Sequence, residues 1–162
     1  MAGLRLYFLR HGKAMSRAEW EEDDDLRPLT PQGADEVRRV GATLAALGLA
    51  PEVVVSSPLE RARRTAEIAA EALGTGATLV FDERLGHGFD VPALLTVVER
   101  HRPETSIMLV GHEPGFSTVI GELTGGRVVC KKGGVARVDV DGADLDGGRL
   151  VWLLPPTLLA RE

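Results

Sequence analysis

The stretch Leu4–Ala14, LRLYFLRHGKA, decides the fold. Leu4 to Leu9 is a compact apolar run with little alternation, the pattern of a strand buried on both faces. It runs directly into Arg10, His11 and Gly12. A doubly buried strand belongs in a mostly parallel sheet covered by helices on both sides, and such sheets bind ligands outside the carboxyl ends of their strands. The residues that follow each strand are therefore the ones to read for chemistry.

Outward from this stretch, strands and helices alternate. Thr30 is placed to cap a helix with Pro31 at its first position. Val37, Val40, Leu44 and Leu47 supply its apolar face, and Gly48 its stop. Val53–Val55 reads as a second buried strand. Ser57 as cap and Pro58 at the first position are expected to open a second helix, closed by Gly74. Thr78–Phe81 is a third strand, followed by the two-glycine loop Asp82–Asp90. Val91–His101 reads as a helix ended before Pro103. Ile107–Val110 is a fourth strand, and Pro114 opens a helix to about Leu123. Val135–Val140 and Leu150–Leu154 close the chain as strands around the turn DGADLDGG, with one antiparallel member allowed. Alternation of this kind implies crossover units and a three-layer α/β/α sandwich with a mostly parallel central sheet.

The bulk properties narrow the function. The 162 residues suit one domain spanning 1–162, and 44% hydrophobic with 27% charged residues is enough to build its core. A net charge of −5 argues against a general nucleic-acid binder but leaves room for a local basic pocket. Cys130 is the one cysteine, which excludes an intrachain disulfide and fits a reducing compartment. No apolar run approaches the roughly 20 residues of a membrane helix. A soluble, cytoplasmic protein is expected.

Three strand ends carry the candidate chemistry: Arg10–Gly12, Ser56–Thr65 and Gly111–Gly115. Arg10 offers a fork of donors suited to phosphate oxygens. His11 becomes a nucleophile when one ring nitrogen is bare and the other donates to a backbone carbonyl. Gly12 lets the backbone turn and approach an anion. The helix N-terminus at Ser57 and Pro58 attracts anions, and Arg61 lies one turn into that helix. His112, if protonated, adds positive charge.

Other charged residues are read against plainer roles. The acidic run Glu19–Asp25 is expected to be a solvated loop, with steering of a basic partner as its functional option. His101 complements the end of its helix. His87 divides between pocket wall and plain loop. Arg63 and Arg64 are read as surface charges, and Lys131 and Lys132 as a solvated turn.

At these residues the chain resembles the histidine phosphatase superfamily. LRHGKA is similar to the family's first-strand motif, RPLTPQG to the start of its first helix, SSPLERARRTAE to its second arginine motif and VGHEPG to its second histidine motif. The short length, with RPLT and GHEPG, resembles most closely the small bacterial SixA branch, the phosphohistidine phosphatases. The resemblance implies a phosphoglycerate-mutase-like fold and in-line attack of His11 on a phosphoryl group. It also implies hydrolysis of the resulting phosphohistidine, with Arg10, Arg61 and His112 holding the oxygens and with no metal or cofactor. The implied substrate is a phosphohistidine-bearing protein.

Larger relatives carry an acidic residue that protonates an alcohol leaving group. Here Glu83 is the candidate, with His87 beside it; the other reading is that Asp82 and Glu83 merely flank a strand end. An imidazole leaving group has a nitrogen pKa near 6.5 and relaxes the need for such an acid. A metal-independent phosphatase of small phosphate monoesters, with Glu83 as acid, is the alternative. A catalytically dead module binding a phosphorylated partner is the third, opposed by the presence of His11, Arg10, Arg61 and His112. A mutase would need longer segments to enclose a second phosphate.

Overall fold

A computed structural model describes residues 3–142 and 144–160. Its centre is a six-stranded sheet: β1 (Leu4–Arg10), β2 (Val53–Ser56), β3 (Thr78–Phe81), β4 (Ser106–Gly111), β5 (Val135–Val140) and β6 (Arg149–Leu154). Their order across the sheet is β3-β2-β4-β1-β5-β6. The first four strands are mutually parallel, while β5 runs antiparallel to both β1 and β6. Most of the expected turn between β5 and β6 is described; Ala143 within it lies outside the described residues.

Period-two side-chain direction explains how β1 serves two cores. Leu4, Leu6 and Phe8 pack on the side of α3 (Val91–Arg100) and α4 (Gly115–Thr124). Tyr7 and Leu9 pack on the other side, against α1 (Pro31–Ala46) and α2 (Glu60–Leu73). The result is the three-layer sandwich expected from the sequence. Truncating a fully buried residue such as Phe8 or Leu44 to Ala would cost about 2–5 kcal/mol.

Local signals account for the helix limits. Thr30 Oγ1 accepts the Gly33 N–H at 2.9 Å, which caps α1, and Pro31 follows at the first position. Val37, Val40, Gly41 and Leu44 form its buried stripe. Asp90 caps α3 in the same way, accepting the Ala93 N–H at 2.9 Å. Gly74 ends α2 at φ 66°, where a side chain would be strained.

The second helix departs from the expectation. It begins at Glu60, and its cap residue is Leu59, without a side-chain cap bond. Ser57 lies outside it. Its hydroxyl accepts the Leu59 N–H at 3.2 Å in a local turn, which delays the helix by two residues. Two one-turn 3-10 helices, Asp24–Leu26 and Glu83–Leu85, and the short α5 (Pro156–Leu159) complete the fold. No helix among the described residues is long and apolar enough to cross a membrane.

Candidate active site

Strands β2, β4 and β1 are adjacent and parallel, so their carboxyl ends lie side by side. Backbone bonds continue the ladder past the strands: His11 N–H donates to the Gly111 carbonyl at 3.0 Å, and Ser57 N–H to the Val110 carbonyl at 2.9 Å. This brings Arg10, His11, Arg61 and His112 to one cavity of about 640 Å³. The imidazoles of His11 and His112 are 5.2 Å apart between ring centres.

His11 is held in one tautomer. Its Nδ1 lies 2.7 Å from the Gly12 carbonyl, which can only accept, so Nδ1 carries the proton and Nε2 of the neutral ring is bare. Burial, opposed by the Gly12 bond and aided by Arg61, Arg10 and Lys132, lowers the His11 pKa to about 3. The nucleophilic form is therefore present throughout the neutral range. Gly12 does more for the histidine than for an anion. Its N–H donates to Thr65 Oγ1 at 3.1 Å, and it is not among the cavity-lining residues. A Cβ there would sit 2.8 Å from the Val37 methyl and 3.3 Å from the Gly33 carbonyl. Close packing against α1 requires the glycine, and Thr65 takes its donor.

His112 is fixed by Ser57, with 2.8 Å between His112 Nε2 and Ser57 Oγ. Burial first, then His11, Arg61 and His87, lower its pKa to about 3, against a smaller opposing effect of Asp24. In this pocket it is neutral, not the cation the sequence allowed for. A nearby anion would favour its protonation.

The arginines are positioned by backbone oxygens. Arg10 Nη1 donates to the Cys130 carbonyl at 2.8 Å. Arg61, only 4% exposed, donates from Nη1 to the Asp24 carbonyl at 2.8 Å and from Nη2 to Asp24 Oδ2 at 3.1 Å. The Nε atoms of Arg10 and Arg61 and Nδ1 of His112 are buried without a partner among the described residues. Burial is the main cause that lowers the pKa of both guanidinium groups.

Most of the acidic run is exposed, as expected of a solvated loop, but its last two residues, Asp24 and Asp25, hold side chains of the site. Asp24 also accepts from Arg27 Nε at 2.9 Å and lies 3.8 Å from Arg17 Nε. Its hydrogen bond from Arg27, above all, holds its carboxyl below the usual range. Asp25 accepts from His87 Nε2 at 2.8 Å, which tethers that histidine at the cavity wall. Glu83 is exposed on its 3-10 turn and does not line the cavity. The carboxylate that does line it is Glu113, whose Oε1 accepts the Ser117 N–H at 2.8 Å. Among the described residues no cluster of three or more His, Cys, Asp or Glu side chains is spaced to hold a metal ion.

Sequence reasoning passed over Thr65, Arg27 and Glu113, and read Lys132 as a solvated turn without placing it at the cavity. Arg27 and Glu113 stood inside quoted motifs, RPLT and GHEPG. Lys132 had no such signal.

Comparison with known proteins agrees with this geometry. Residues 6–87 match the histidine phosphatase superfamily (branch 1). An uncharacterized protein of Picosynechococcus sp. is 39% identical over 138 residues, covering 82% of each chain. A 2,3-bisphosphoglycerate-dependent phosphoglycerate mutase of Thermobifida fusca is 45% identical, but over 43% of this chain and 28% of its own length. In three dimensions the chain is similar to the protein histidine phosphatase SixA, solved with tungstate. That match has a TM-score of 0.85 and 24% identity, over 96% of this chain and 99% of the other.

Proposed function

We propose, on the premise that this chain belongs to the histidine phosphatase superfamily and is a histidine-type phosphatase, that its substrate is a protein carrying phosphohistidine. His11 Nε2 attacks the phosphorus in line, the P–N bond of the substrate breaks, its imidazole, already protonated on the other ring nitrogen, leaves neutral, and the phosphoryl group passes to His11. Water then hydrolyses the His11 phosphoramidate. The observation that carries the mechanism is the Nδ1–Gly12 bond, which leaves Nε2 bare in a pocket of cations.

Arg10, Arg61 and His112 stabilise the oxygens of the transferring group. The buried, unpartnered Nε–H groups of Arg10 and Arg61 support this role, because phosphoryl oxygens would supply the missing acceptors, as would an oxygen at Nδ1 of His112 once that ring is protonated. Phosphoryl transfer asks for little beyond such positioning and electrostatics. His112 gains a proton most readily when the dianion arrives, so its charge would appear with the substrate.

The choice of phosphohistidine rests on the leaving group. Imidazole departs without a strong acid, and Glu83 lies away from the cavity. The SixA likeness in fold supports the same class. A second reading, hydrolysis of small phosphate monoesters, has one observation in its favour: Glu113 lines the cavity next to His112 and would be the proton donor.

The two readings separate in one experiment. Phosphate release is measured from a phosphohistidine protein and from a panel of sugar and nucleotide phosphates, without added metal. Faster turnover of the phosphoprotein, unaffected by Glu83→Gln and little affected by Glu113→Gln, is expected. Faster ester turnover that collapses in Glu113→Gln would reverse the choice.

A further inference from the structure

Because β5 runs against its parallel neighbours, the residues before it, not after it, lie at the carboxyl edge of the sheet. Those residues are Cys130–Gly134, and they are tied to the loop that carries His11. Gly133 N–H is shared between the carbonyls of Arg10 and His11, at 3.1 and 3.0 Å. Arg10 N–H donates to the Gly134 carbonyl at 3.1 Å, and Arg10 Nη1 to Cys130. Gly133 has φ 77°, a conformation that turns the chain sharply at this point. Lys132 is thereby anchored one residue from a direct main-chain bond to the nucleophile, and its side chain lines the cavity with Arg10, His11, Arg61 and His112.

The charge around Lys132 is unbalanced. Asp24 pairs with Arg17, Arg27 and Arg61. No ion pair among the described residues includes Lys132. Burial, then Arg10, Arg27, Arg17 and Arg61, lower its pKa. An ammonium among like charges and without a carboxylate is stabilised by an incoming anion.

We propose that Lys132 is a further ligand of the phosphoryl group, delivered to it by the turn that precedes β5. An ammonium suits this position: it is a compact charge with three donors, able to follow an oxygen as the group moves between leaving and attacking nitrogens. The proposal rests on the reading of His11 as nucleophile toward phosphorus.

Orthovanadate, a mimic of the transferring group, tests it by calorimetric titration of the whole chain. Lys132→Gln should bind vanadate about tenfold more weakly, the loss of one charge-assisted contact. Lys132→Arg should recover most of the affinity. Lys131→Gln, exposed as Lys132 is but outside the cavity, should bind as the wild type does. A Lys132→Gln protein within twofold of wild type, or equal weakening in Lys131→Gln, overturns the proposal. A wild type that binds vanadate through Lys132 yet releases no phosphate from a phosphohistidine protein would sink the substrate assignment and leave this one standing.

Discussion

The floor of the pocket and its wall are held in different ways. The floor is the carboxyl ends of β2, β4 and β1, joined by backbone hydrogen bonds that extend the sheet through His11 and Ser57. The wall is loop 13–29, closed at its base by a backbone bridge between Ala14 and Leu29 and fastened to the site by side chains: Asp24 on Arg61 and Arg27, and Asp25 on His87. A ladder cannot shift one residue without breaking its neighbours, whereas ion pairs whose carboxylates reach solvent are weakened by salt and by a competing anion. The floor should therefore govern the chemical step, and the wall should tune affinity and orientation.

The largest effect belongs at the floor. His11→Ala should lower phosphate release by about 10⁴-fold or more and remove any acid-labile phosphoenzyme. Near wild-type release by that variant would end the mechanism.

Acid provides the next test. His11 and His112 both have folded pKa values of about 3, below the 6.5 of a free imidazole. Between those values the unfolded chain binds protons that the folded chain refuses. Stability is thus fully present above about pH 6.5 and falls as pH drops below it, by up to about 1.4 kcal/mol per pH unit for each imidazole. Thermal melts from pH 7 to pH 5 should show this fall, reduced in His112→Asn. The acid limb of kcat/KM should lie well below pH 6.5 for the same reason. A midpoint at 6.5 would mean that His11 is not shielded by burial, Arg61, Arg10 and Lys132.

Asp24→Asn probes the joint between wall and floor. Arg61 would keep its bond to the Asp24 carbonyl but lose the ionic one, and kcat/KM should fall about tenfold. The gap should narrow in high salt, because screening weakens the pair in the wild type. An increase in activity would instead make Asp24 a competitor of the substrate for Arg61. The smallest effect is expected for Asp25→Asn. Its partner His87 has a side chain 69% exposed, so the change in kcat/KM should stay within about twofold.

The same division marks what could be read in the sequence. Arg10, His11, Arg61 and His112 were legible because each follows a recognisable strand, and parallel strands put those ends together. Even the carbonyl that sets the His11 tautomer followed from its chemistry. Ser57 was read as a helix cap; it pairs instead with His112 and Leu59, since a serine hydroxyl serves whichever partner folding brings near. Gly12 was assigned to an anion, but Val37, Gly33 and Thr65 crowd it. The acidic run was set down as solvated surface, and most of it is exposed, but Asp24 and Asp25 reach the site. Their partners are 37 residues away in Asp24–Arg61 and 62 in Asp25–His87, beyond any local pattern.

By itself, the sequence determined the layered α/β fold, the parallel strands and the four central side chains of the pocket. Those depend on periodicity, caps and strand ends, all of which act over a few residues. Only the tertiary structure decided which groups surround that centre. The direction of β5 brings Lys132 to the edge where the parallel strands end, and the path of loop 13–29 sets Asp24 on Arg61. The physical reason is range: backbone geometry is specified locally, whereas a charge finds its partner across whatever distance the fold closes.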